Sequence, residues 1–183
     1  MDAPPFPAAA LEAARDAAKA QLRIAGDSED ALIESYAASA LALCEAFTGR
    51  AAIAREWRDV MPASRAWQAI EIAGVSAITA VSGLSADGDT IAFASDAYAV
   101  DVDAEGVGWV RVISAGAAGR VAVTCVAGIA EDWAGLPAPV AQGVTLLIAH
   151  LFEARDGASP PAAVSALWRP WRRVRLMRPE RAA

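Results

Sequence analysis

The chain has 183 residues, a formal net charge of −6 and an apolar fraction of 56%. That length supports one domain with a sizeable core, or one domain plus an arm. The apolar share is largely alanine, and no apolar run reaches the roughly 18–20 residues that a membrane helix requires.

In chain order, residues 1–7 (MDAPPFP) are proline-rich and lack the basic and apolar regions of a signal peptide, so assembly in the cytoplasm is expected. Residues 8–22 carry Leu11, Arg15, Ala18 and Leu22 at helical spacing, with Gly26 as the stop. Asp27-Ser28-Glu29-Asp30 places a capping residue before first-turn acids and predicts a helix over 28–48, closed by Gly49. Its apolar residues form two neighbouring stripes. One is Leu32, Tyr36, Ala40, Leu43 and Phe47; the other is Ile33, Ala37, Leu41 and Cys44. A face this broad suits more than one neighbour, inside the fold or in another subunit.

After Arg50 the period changes. Segments 53–60, 69–73, 76–81, 90–93, 97–103, 108–113 and 120–127 are rich in Val, Ile, Trp and Tyr and read as strands, separated by Gly and Asp turns. Short connections predict an antiparallel meander over about 51–130. Pro137 and Pro139 then open a helix over 137–155, with Val140, Val144, Leu147, Ile148 and Leu151 as its buried stripe. The expected fold class is α+β, mainly helical: helices packed together, an inserted antiparallel β-sheet unit and an extended C-terminal arm. Residues 1–159 form a single domain in this reading and 160–183 the arm, where 162–168 allows one or two helical turns and Pro170 stops any longer helix.

The arm interleaves arginine with apolar bulk. Trp168, Arg169, Trp171, Arg172, Arg173, Val174, Arg175 and Leu176 follow one another closely, with Met177 and Arg178 beyond. Tryptophan and arginine are the residue types most enriched at binding hot spots, and arginine makes bidentate and stacking contacts that lysine cannot. From Arg169 onward six arginines face one glutamate, a balance of +5, while the remainder holds 10 basic and 21 acidic residues, or −11. These eight residues are the candidate partner-binding set. Arginine on phosphates with tryptophan on bases would also hold single-stranded nucleic acid. The acidic body argues for a protein partner, because a dedicated DNA binder usually carries a basic face on its fold.

The sequence carries no clear catalytic set. His150 is the only histidine and lies on an apolar helix, where a packed residue is the plainer reading. Cys44 and Cys125 belong to no CxxC or Cys/His cluster and read as reduced core thiols. Asp96, Asp101, Asp103 and Glu105 surround a strand end; a cation site there is weighed against a charged sheet edge, and the edge is preferred. Residues 114–119 (SAGAAG) lack the Lys-Ser/Thr of a phosphate loop. No enzyme, cofactor or metal is expected.

Several segments in order carry a family resemblance: Gln21-Leu22-Arg23-Ile24 with 26–30 (GDSED) and Thr48-Gly49-Arg50; the 98–102 strand; Val126-Ala127-Gly128 with Trp133; 136–140 (LPAPV); 148–153 (IAHLFE); and 166–176 (ALWRPWRRVRL). Over about residues 10–177 the chain resembles the head–tail connector (adaptor) proteins of long-tailed phages and phage-like gene transfer agents. It departs from their pattern in having Leu151-Phe152 where an aromatic pair is usual and Trp171 where a tyrosine is. The resemblance implies a homo-oligomeric ring, commonly of twelve, without enzymatic activity. It further implies docking to the portal protein of a DNA-filled head through the C-terminal segment, a next tail or stopper component on the opposite side, double-stranded DNA passing without sequence-specific contacts, and no membrane partner. The alternative reading is a nucleic-acid-binding accessory protein that uses the same segment.

Overall fold

A computed structural model describes residues 3–154 and 159–173. It contains four α-helices and seven strands. The described residues of Pro5–Ala54 and Ile129–Val174 form one compact unit; Arg55–Gly128, with Ala3 and Pro4, forms another.

The first unit is helical. Helix α1 (Ala8–Leu22) buries Ala10, Ala14 and Ala18, a stripe of period four on which only methyl groups stand. Its end is made by Arg23, left-handed at φ 58°, whose N–H bonds back to Ala20 C=O, so the chain turns before Gly26. Helix α2 (Asp30–Thr48) starts two residues later than the spacing predicts. Residues 27–30 form a turn closed by Asp30 N–H on Asp27 C=O (3.1 Å), and no side chain caps the helix. Gly49 ends it at φ 67°, as expected. Helix α3 (Ala138–Glu153) buries Val140, Val144, Leu147 and Ile148, the predicted stripe except for half-buried Leu151. Its expected end at Arg155 lies outside the described residues. Helix α4 (Ala162–Trp168) completes the unit. Ile33, Leu41, Ile53, Val140, Val144 and Ile148 are fully sealed at its centre, where each contributes about 1.5–3 kcal/mol of apolar transfer.

The second unit is entirely β. Its strands are β1 (Arg55–Pro62), β2 (Gln68–Ala73), β3 (Val75–Leu84), β4 (Thr90–Ala92), β5 (Tyr98–Val102), β6 (Val107–Val112) and β7 (Arg120–Ala127). They form two antiparallel sheets, ordered β1-β7-β3-β4 and β2-β6-β5. The description "mainly helical" is therefore corrected. Among the described residues helix accounts for 36% and strand for 29%, because the stretch between the helices folds as two sheets rather than one small sheet.

The meander is also replaced. β7 pairs with β1 from Arg55↔Ala127 to Pro62↔Arg120 and takes β3 on its other side, so the first and last strands of the insert are neighbours. The cause is apolar content. Val121, Val123 and Cys125 are fully buried, which puts β7 inside the sheet, whereas β1 alternates strictly and carries its proline at the last position, where an edge strand tolerates it.

Candidate functional site

The expected binding segment begins at Pro160-Pro161, which leads into α4. Val164 and Trp168 stand four residues apart, so both point to one face, and they are 4% and 3% exposed. Trp168 donates its indole N–H to Val140 C=O at 3.2 Å, and its ring meets Phe47 at a centroid distance of 6.0 Å, tilted by 52°. Gly143 of α3 makes this seat. A Cβ there would lie 2.2 Å from the indole Nε1, closer than any real contact. Trp168 is thus a core residue, and residues 162–168 form the helical turns that the spacing allowed.

Past α4 the chain makes a 3-10 turn, Arg169–Trp171, at the proline that cannot continue an α-helix. It then extends at Arg172 (φ −68°, ψ 125°). Arg169, Pro170 and Arg172 are exposed; Trp171 and Arg173 are half-buried. The Arg172 guanidinium stands 5.7 Å from the Phe47 ring centre. Arg173 donates its backbone N–H to Thr48 C=O at 2.7 Å, satisfying one of the carbonyls that a helix end leaves without a partner. The Thr48 hydroxyl bonds back to Cys44 C=O at 2.8 Å. The segment is therefore held by an indole under α3 and an amide on the end of α2, with Trp171 packed partly against the same core, and it leaves Arg169 and Arg172 exposed. Val174, Arg175 and Leu176 lie outside the described residues.

The acidic candidates separate. Asp103 accepts the backbone N–H groups of Glu105 (3.1 Å) and Val107 (2.8 Å) and the Trp109 indole N–H (2.9 Å), so its carboxylate organises the β5–β6 turn. Asp59 likewise accepts Glu71 N–H at 2.9 Å. Among the described residues no three His, Cys, Asp or Glu side chains are grouped as a metal site would require. Both thiols are buried and reduced. Burial pushes Cys44 up to about 12, with Glu45 adding to it, and Cys125 up to about 11, with Asp59 and Glu56 adding. Neither is a nucleophile at neutral pH. His150 is half-buried near the end of α3.

One feature escapes the sequence pattern. An apolar groove of about 440 Å³ runs between Leu43 and Phe47 of α2, Leu147 of α3, and Pro161, Val164 and Trp168. Leu43, placed by periodicity on one apolar stripe of α2, is 50% exposed at its rim. The signal available in the sequence was the absence of charge at Ser39, Ala42 and Ala46 beside it.

No family model matches the chain, and no curated protein does. Solved structures do. The chain is similar to one in the neck of an empty gene transfer agent particle computed with C6 symmetry, at 30% identity and a TM-score of 0.77, covering 98% of this chain and 100% of that one. It is similar to one in the virion of a native gene transfer agent particle, at 31% identity and a TM-score of 0.72, covering 98% of each. A third match, at 31% identity and a TM-score of 0.69, is in the neck of a native particle computed with C12 symmetry and covers 98% of this chain and 100% of that one.

Proposed function

The chain belongs to the head–tail connector (adaptor) family seen in these gene transfer agent necks, and from that premise we propose that it is a structural neck component that forms a ring joining the portal to the tail. The observation that carries this reading is identity of 30% or more along essentially the whole chain, rather than over one element. One related neck was computed with C12 symmetry and another with C6, and a ring of twelve is compatible with both. A ring also multiplies a modest contact, because each bound subunit raises the effective concentration of the next.

In this reading the portal is gripped by Arg169, Trp171, Arg172 and Arg173, continuing into Val174, Arg175 and Leu176, while Trp168 holds the segment in place from inside the core. The +5 balance from Arg169 onward favours an acidic, apolar-lined surface on the portal. The opposite side of the ring receives the next tail or stopper component. The body, at −11, suits a wall past which double-stranded DNA moves, because contacts from Lys and Arg to phosphate are what retain it. Assembly would take place in the bacterial cytoplasm, with the product part of a phage-like particle; among the described residues no helix is long and apolar enough to cross a membrane.

The test is portal binding by a variant carrying Trp171→Ala and Arg172→Ala. Neither residue is sealed in the core, so the fold should hold while portal affinity falls about tenfold or more, the scale of losing hot-spot side chains. Unchanged affinity would remove the docking role. If the variant instead loses a salt-sensitive affinity for DNA, the nucleic-acid accessory reading takes its place.

A further inference from the structure

Helix α2 distributes its charges unusually. A helix at a protein surface normally turns its charged residues to water. Here Asp30 and Glu34 face α1, where Asp30 pairs with Lys19 and Glu34 with Arg15 (3.4 Å), and Glu45 accepts Ala52 N–H at 2.7 Å. The exposed residues from 32 to 46 are Leu32, Ser35, Ser39, Ala42, Leu43 and Ala46. Among the described residues of α2, none that is exposed carries a charge. Leu32 and Leu43 are 43% and 50% exposed, and Leu43 leads directly into the apolar groove. The serines do not make this face polar. Ser35 and Ser39 give their hydroxyl protons to Leu32 C=O (2.7 Å) and Ser35 C=O (3.0 Å) of their own helix, so covering them strands no donor.

We infer that this face of α2, with the groove beside it, is the surface on which a second copy of the chain docks. The choice of occupant follows from charge. The chain carries −6, so two copies repel wherever their general surfaces meet, and their contact is best placed where charge is missing. An oppositely charged partner would find no complement on this face. Small side chains let another element approach closely, and the two leucines supply the buried anchors. In a closed ring the contact is heterologous, so the face meets a different surface of its neighbour. The inference rests on the ring reading above and adds which surface closes the ring.

The experiment places a photo-reactive benzophenone on Ser39→Cys in the full chain and, separately, on Glu12→Cys, an exposed charged position on α1; Cys44 and Cys125 are buried and take no label. Each chain is assembled into particles and irradiated. The expected result is a product of twice the chain mass from position 39 and none from position 12. Loss of assembly by the position-39 chain alone would also support the contact. A product with a protein of different mass, or no product although the labelled chain is in the particle, would overturn the inference and leave the neck role standing. Failure of both labelled chains to enter particles would sink the neck role and the inference with it. As a second variant, Leu43→Glu should reduce ring formation about tenfold or more, with melting unchanged because the residue is exposed; rings at the normal level would count against the contact.

Discussion

Trp168 and Trp171 sit three residues apart in one arginine-rich run, yet their surroundings differ. Trp168 is 3% exposed, with its indole N–H on the Val140 carbonyl. Trp171 is half-buried, beyond the proline that ends α4. The same side chain anchors the fold at one position and is presented beside exposed arginines at the other. Composition alone treats the two as equivalent; burial separates them, because the Gly143 seat and the Val140 carbonyl take in the Trp168 indole, whereas Trp171, beyond Pro170, only partly covers the edge of the same core.

Three substitutions probe this difference. Trp168→Ala should cost the most, about 3–5 kcal/mol of folding stability, as deletion of a buried aromatic ring does. Denaturant unfolding measures it, and a loss under about 1 kcal/mol would mean that the indole is not part of the core. Gly143→Ala comes next. In an open helix this change stabilises by about 1 kcal/mol; here the new methyl would meet the Trp168 indole at 2.2 Å, so the sign should reverse to a loss of about 1–3 kcal/mol. Paired with Trp168→Ala, which vacates the space, the glycine substitution should lose most of its penalty, and a double-mutant cycle reads that coupling. Additive losses would show that the two residues do not meet. Trp171→Ala should change stability least, by under about 1 kcal/mol, and show its effect in portal binding instead. A larger unfolding effect than that of Trp168→Ala would invert the comparison.

The helices and strands were legible because each is announced by near neighbours. Periods of four and two placed α1, α2, α3 and all seven strands within a few residues of their observed ends. What was missed depended on partners distant in the chain. The pairing of β1 with β7 joins residues such as Arg55 and Ala127, and no local pattern announces it. Asp103 looked like one carboxylate in an acidic cluster until its bonds to Val107 and Trp109 were in view. Spacing put Leu43 on an apolar stripe and left open whether the fold or another subunit covers it, because the direction in which a stripe points depends on what packs against it. At the candidate site, the arginines and tryptophans were evident as a set; that Trp168 belongs to the core was not, since its seat is an absent side chain at Gly143, 25 residues earlier by number.

The amino-acid sequence by itself determined the order and type of the elements, the charge asymmetry between body and C-terminal segment, and the family. These are properties of residue type and short spacing, and they survive at about one residue in three identical. Only the tertiary structure decided which sheet each strand joined, which tryptophan was sealed and which only partly covered, and that the acids of α2 turn to Arg15, Lys19 and Ala52 while its outer face carries no charge. The physical reason is the same in each case. A side chain's role is set by the atoms that remove it from water, and those atoms come from parts of the chain that its own neighbours in sequence do not specify.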